Sequence, residues 1–189
     1  MKLKSIETFT TQDVGFVRVT ADDGSQGWGQ VSTYYADITV QVLHRQVAPW
    51  TLGKDTTDLD ALLDFVTDRE HKFPGSYLRR ALAGLDTAIW DWRGKDQGKP
   101  VAALLGGSAG PLRAYASSMK RDITPKDEAA RLKHLRDTQG FDAFKVRAGS
   151  EVGHDKDEWP GRTEEIIATM RREMGDGVDL LIDANSCYS

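Results

Sequence analysis

Over the first thirty positions the apolar residues alternate with polar ones. Val14 to Thr20 is rich in β-branched and aromatic residues, Asp22-Asp23-Gly24-Ser25 is a turn signal, and Gly27-Trp28-Gly29-Gln30-Val31 resumes the ribbon. Residues 1–31 therefore read as antiparallel strands. Two glycines around a tryptophan predict a bulge or the close approach of another backbone. Ser32-Thr33-Tyr34-Tyr35-Ala36 follows as a polar, aromatic loop.

The period then becomes helical. Ile38, Val42 and Leu43 share one face of a run predicted to end before Pro49, and Leu59, Leu62, Leu63 and Val66 make a second stripe with Thr57 or Asp58 as N-cap. Tyr77 to Lys95 is the most strongly patterned helix, with Leu78, Leu82, Leu85, Ile89 and Trp92 at helical spacing. Ala81, Ala83, Gly84 and Ala88 are small, so another element can pack closely on it. Gly98-Lys99-Pro100 breaks the helix, and a short one over 101–105 ends at Gly106-Gly107. Strands followed by helices make residues 1–110 an α+β unit.

After Pro111 the grammar changes. Residues 114–118 read as a short strand, Pro125 to Gln139 as a helix capped by Thr124 and stopped by Gly140, and Ala143 to Ala148 as a strand. Gly161 to Met174 reads as a helix with Ile166, Ile167 and Met170 apolar, and Asp179 to Asn185 as a third strand. This is the strand–helix rhythm of a parallel sheet, but three strands and two helices complete no common parallel fold. Residues 111–189 are therefore expected to be the first part of an unfinished one. The polar stretch from Gly149 to Gly161 follows the second strand, where an active-site loop is expected.

Composition narrows the function classes. The 189 residues are 39% hydrophobic and 29% charged, with a net charge of −4. No nucleic-acid or membrane partner is indicated. No apolar run approaches the ~20 residues of a membrane span, and no secretory signal opens the chain. One cysteine, Cys187, permits no internal disulfide, and the default expectation is a reducing, cytoplasmic setting.

Candidate chemistry lies on two of the parallel strands. In Ala143-Phe144-Lys145-Val146-Arg147-Ala148, Phe144 and Val146 point one way and Lys145 and Arg147 the other. Two cations on the inner face of a buried strand need an anion, either a substrate, a metal-bound carboxylate or inward-facing acids in a salt bridge, unless this is an edge strand with both charges solvated. In Leu180-Leu181-Ile182-Asp183-Ala184-Asn185, Leu181, Asp183 and Asn185 share a face. Asp183 is either an oxygen ligand for a hard cation or the ion-pair partner of Lys145 or Arg147. His44, His71, His134 and His154 are scattered, Trp28, Trp90 and Trp92 read as core or packing residues, Asp86 and Asp91 as structural hydrogen-bond partners, residues 106–110 as a linker, and Cys187 as an incidental thiol.

Ala81-Leu82-Ala83-Gly84-Leu85-Asp86-Thr87-Ala88, with Asp91, Gly94-Lys95, Pro100-Val101 and Leu104-Leu105-Gly106, resembles the signature helix of the mandelate racemase and muconate lactonizing enzymes of the enolase superfamily. The resemblance implies an α+β capping domain over residues 1–110, then the first three strands of a TIM-type barrel over 111–189. It also implies that the barrel, and the chain, are incomplete. Lys145-Val146-Arg147 matches the family's Lys-x-Lys pair on the second barrel strand, and Asp183 the first of three acidic Mg²⁺ ligands. Asn185 follows as a further site residue. Ser32 to Ala36, with Tyr34 and Tyr35, matches the loop that covers the substrate.

The chemistry so implied is Mg²⁺-dependent abstraction of the proton next to a carboxylate, with a Lys or His base and a metal-stabilised intermediate. Arg147 departs from the pattern. Lowering a lysine from ~10.4 to about 7–8 requires about 4 kcal/mol, and an arginine about twice that. Arg147 is better suited to a bidentate grip on a carboxylate. Lys145 is then the base, or a second carboxylate holder beside a His from elsewhere. One base favours elimination, so acid-sugar (aldonate or aldarate) dehydration is the expected reaction, with racemisation or cycloisomerisation as the alternative. A small-molecule carboxylate substrate and a homo-oligomer are the expected partners. The 189 residues alone are expected to be inactive, and the alternative of another class is a non-catalytic fragment held together by self-association.

Overall fold

A computed structural model describes residues 2–189, which divide into two compact units, 2–110 and 111–189. The first opens with three strands, β1 (Leu3–Thr10), β2 (Gly15–Ala21) and β3 (Gln26–Gln30), paired antiparallel in that order. Val17, Val19 and Ala21 of β2 are buried while Phe16 is exposed, so period-two alternation sets the inner face.

Helix α1 (Ala36–Val42), a π-helical turn (Leu43–Val47) and α2 (Ala48–Thr51) follow without a break. The expected stop before Pro49 does not occur. The N–H of Ala48 reaches back to the carbonyl of Leu43, and this wider spacing carries the chain past a proline that has no N–H for the α ladder. The buried face is Ala36, Thr39, Val40, Leu43 and Val47, whereas Ile38 is 45% exposed, so the phase expected for this helix was also off.

Helix α3 (Leu59–Arg69) is capped by Asp58, which accepts from the N–H of Ala61 at 3.0 Å. Helix α4 (Ser76–Gln97) is the long signature helix, ended by Gly98 in a left-handed conformation, and α5 (Val101–Leu104) is one turn. The close approach expected at Gly27 and Gly29 is where α4 lies on β3. A Cβ on Gly27 would stand 2.7 Å from the backbone nitrogen of Trp92, and one on Gly29 would overlap the carbonyl of Gly84. Leu78, Leu82, Leu85 and Ile89 of α4 close the core against Leu3, Val17, Val19 and Val31. Each such side chain contributes about 1.5–3 kcal/mol by leaving water.

With Gly27 and Gly29 facing α4, alternation turns Trp28 outward. It is not core. It is 40% exposed, stacks on Phe9 at 5.5 Å, and Arg18 lies over both rings while pairing with Glu7 at 2.7 Å. Trp90 and Trp92 are half-buried. Asp91 accepts from the backbone N–H of Trp28 and from Lys95, so it ties β3 to α4.

The second unit contains β4 (Ala116–Ser117), α6 (Pro125–Gln139), β5 (Ala143–Arg147), α7 (Arg162–Met174) and β6 (Asp179–Asp183). The three strands are parallel in the order β4-β5-β6, the opening of a parallel β/α barrel that the described residues do not close. Thr124 caps α6 by accepting from the N–H of Asp127 at 3.2 Å. Phe144 and Val146 are fully buried with Leu132, Ile166 and Met170 beneath the helices, whereas Ile167 is 43% exposed.

Candidate active site

The pleat of β5 sends Lys145 and Arg147 to the face opposite Phe144 and Val146. In the register of β5 and β6, Lys145 stands beside Leu181 and Arg147 beside Asp183, so the three charged residues share one face. They sit at the C-terminal ends of parallel strands, where barrel enzymes place their chemistry. Lys145 Nζ lies 3.4 Å from Asp183 Oδ2, and both side chains are about a quarter exposed. The ion pair weighed against a metal ligand is therefore present.

Both partners are held in their charged forms. A hydrogen bond to the Tyr115 side chain, together with Asp183, raises Lys145 above the ordinary lysine value. Burial pushes Asp183 up, but the Lys145 hydrogen bond and the charges of Lys145 and Arg147 outweigh it, and its carboxyl ends below the usual range. Tyr115 also offers its ring to Lys145, 5.2 Å from the ring centre. Nothing in the sequence marked Tyr115 as part of this face except its place just before β4.

Arg147 makes no ion pair among the described residues. Its Nη2 donates to Met119 Sδ at 3.5 Å, and its buried Nε has no acceptor. A guanidinium so placed can grip an anion with its planar fork.

Asn185 departs from expectation. Strand β6 ends at Asp183, and Asn185 lies beyond it, exposed, with φ of 47°. Its backbone N–H donates to Asp183 Oδ1 at 3.0 Å, a short-range turn that takes it off the strand's alternation. What holds Asp183 is the backbone of Asn185 rather than its side chain. Tyr34 and Tyr35 belong to the first unit and are 69% and 54% exposed. Tyr35 takes a left-handed conformation (φ 53°) at the start of α1, and the carbonyl of Tyr34 accepts from Arg80.

The loop from 149 to 161 is latched to the segment after β6. The N–H of Asp155 donates to the carbonyl of Cys187, Tyr188 donates to Asp157 at 2.7 Å, and Thr163 bonds the same carboxylate. Cys187 is no incidental thiol. It is 3% exposed, its Sγ donates to the carbonyl of Lys156 at 3.2 Å, and it fills the space beside Gly149.

A hard cation needs several oxygen ligands. Among the described residues no three His, Cys, Asp or Glu side chains converge. Asp183 offers one carboxylate, already beside Lys145, so these residues do not by themselves make a Mg²⁺ site. No helix is long and apolar enough to cross a membrane among the described residues.

Comparison with known proteins fixes the family. Residues 2–106 match the model of the mandelate racemase / muconate lactonizing enzyme N-terminal domain, and residues 127–189 that of the enolase C-terminal domain-like fold. Arabinonate dehydratase of Saccharolobus solfataricus is 30% identical over 90% of this chain and 45% of its own length. D-galactarolactone cycloisomerase of Agrobacterium fabrum is 31% identical over 92% of this chain and 44% of its own. The crystal structure of a protein from Roseobacter denitrificans, provisionally named a racemase, superposes with a TM-score of 0.98 at 80% identity, covering 100% of this chain and 52% of that one. A mandelate racemase/muconate lactonizing protein from Paracoccus denitrificans PD1222, complexed with magnesium, superposes at 0.85 with 30% identity, covering 100% of this chain and 52% of that one. This chain spans about half the length of the curated relatives it matches. The chain belongs to the mandelate racemase / muconate lactonizing enzyme family of the enolase superfamily, of whose fold it holds the N-terminal portion.

Proposed function

We propose that the whole protein to which these residues belong abstracts the proton next to a carboxylate, and that its reaction is the dehydration of an acid sugar, an aldonate or aldarate. The observation that carries this reading is the shared face of Lys145, Arg147 and Asp183 at the C-terminal ends of β5 and β6. The relatives named dehydratases of arabinonate, galactonate and gluconate support it. In this reading Mg²⁺ takes Asp183 as one ligand, and the remaining ligands come from outside residues 1–189.

The roles follow from the geometry. Lys145 stands beside Asp183 on the inner face, placed either to accept the proton itself or to hold the substrate carboxylate while a base from elsewhere in the whole protein accepts it. Arg147 grips the same carboxylate with its planar fork. Asn185 and the Tyr34-Tyr35 loop contribute substrate contacts.

A second reading, racemisation or cycloisomerisation, is favoured by the provisional name of the Roseobacter protein and by the Agrobacterium cycloisomerase. All three reactions begin with the same proton abstraction, so the product decides among them. The native protein, given a panel of acid sugars with Mg²⁺ in D₂O and followed by NMR, is expected to yield a 2-oxo-3-deoxy acid. An epimer or a ring-closed isomer would select the second reading. Absence of exchange at the carbon next to the carboxylate, across the panel, would remove both.

A further inference from the structure

Two loops at the C-terminal ends of β5 and β6 hold backbone that residues other than glycine rarely adopt. His154 and Asp155, with φ of 65° and 54°, are consecutive left-handed residues in the loop after β5. Asn185 and Ser186, with φ of 47° and 60°, are consecutive left-handed residues after β6. Such conformations persist where the surroundings impose them, and they gather at functional sites. Here the two loops are held against each other. The N–H of Asp155 donates to the carbonyl of Cys187 at 3.0 Å, and the N–H of Cys187 closes the turn on the carbonyl of Ala184 at 2.8 Å. Inside that turn the N–H of Asn185 holds Asp183 Oδ1, while Oδ2 faces Lys145.

One side-chain cluster pins this arrangement to both site strands. Asp157 accepts from the hydroxyl of Tyr188 at 2.7 Å, from the N–H of Thr163 at 3.3 Å and from the Thr163 hydroxyl. Thr163 Oγ1 in turn accepts from the N–H of Gly149 at 3.0 Å, two residues after Arg147. Hydrogen bonds from Thr163 and Tyr188 hold the Asp157 carboxyl below the usual carboxylate range, so the clasp is charge-assisted. It ties the chain just past Arg147 to the chain just past Asp183. Tyr188 is 43% exposed, so its hydroxyl rather than its burial fixes its place.

We propose that Tyr188 is a positioning residue for the proton abstraction proposed above, on which this inference rests. It acts through Asp157. The clasp fixes the turn over residues 184–186, and with it the direction in which the Asp183 carboxylate meets Lys145. Without the Tyr188 hydroxyl the segment after β6 loses a side-chain anchor, and the carboxylate leaves its productive orientation for part of the time. A small misplacement of this kind costs turnover rather than substrate affinity.

The test compares the whole native protein with Tyr188→Phe, Asp157→Ala and the double variant. The readouts are proton exchange on an acid sugar and amide hydrogen exchange. Tyr188→Phe is expected to lower kcat by about tenfold while KM changes by less than about twofold. The Asn185 amide should lose protection in this variant while Phe144 and Val146 keep theirs. Asp157→Ala should do the same, and the double variant should be no worse than Asp157→Ala alone, because both changes remove one bond. A native kcat in Tyr188→Phe, a loss confined to KM, or losses that multiply in the double variant would overturn the proposal. Tyr188→Phe keeps its ring, so the test stands on it if Asp157→Ala does not fold. Absence of proton exchange in the native protein would remove the proposed reaction. The Asn185 amide needs no substrate and decides the clasp separately: lost protection in Tyr188→Phe keeps it, and unchanged protection overturns it.

Discussion

Lys145 Nζ stands 3.4 Å from the Asp183 carboxylate across the β5–β6 pair, and each group holds the other in its charged form. The pH behaviour follows from the two directions. Asp183 titrates below its unfolded value of about 3.9, so its contribution to stability is present above that value and is lost as pH falls through the folded pKa. Lys145 titrates above its unfolded value of about 10.4. Its contribution is present below that value and is lost as pH rises through the folded pKa.

Tyr115 is the largest influence on Lys145. Tyr115→Phe is therefore expected to bring the Lys145 pKa down toward the ordinary lysine value and to move the alkaline loss of stability to lower pH. NMR titration of the Lys145 side chain reads this directly. An unchanged midpoint in the variant would show that Tyr115 does not set it.

Gly29→Ala should destabilise the first unit by about 3 kcal/mol, the upper end of the cost of overpacking. The added Cβ would overlap the carbonyl of Gly84 and stand 2.7 Å from the backbone nitrogen of Ala88, and helix backbone has no rotamer with which to move aside. Gly53→Ala meets nothing within 4 Å and should cost only the left-handed backbone term of about 1–2 kcal/mol. Chemical denaturation of the two variants checks the order.

Asp91→Ala should cost about 1–3 kcal/mol, because the charged acceptor for the Trp28 N–H is removed along with the Lys95 pair. Amide hydrogen exchange provides a local readout. Trp28 should lose protection in the variant while the core residues Val17 and Val19 keep theirs.

Much of the architecture was legible in the sequence because it depends on neighbours a few residues away. Thr124 and Pro125 open α6 and Gly140 closes it, as local capping chemistry requires. The face shared by Lys145, Arg147 and Asp183 was also legible, since strand alternation and parallel pairing follow from pattern alone. What was not legible depends on packing. The π-helical turn before Pro49 and the outward side of Trp28 are set by what α1 and α4 pack against. Asn185 left its strand because a turn forms on the Asp183 carboxylate. Arg162 finds its acceptors, the carbonyls of Ile123 and Arg147, only when the β4–α6 loop, the end of β5 and the start of α7 come together. The one advance signal was an arginine at the first position of a helix.

The central claim is that the Lys145, Arg147 and Asp183 face acts on the carbon next to a carboxylate. The measurement that tests it most directly is the rate of hydrogen–deuterium exchange at that carbon of an acid-sugar substrate, in the native protein and in Lys145→Met. The account predicts exchange in the native protein and a fall of about 100-fold or more in the variant, with its circular dichroism unchanged. Exchange at the native rate in a folded Lys145→Met protein would contradict it.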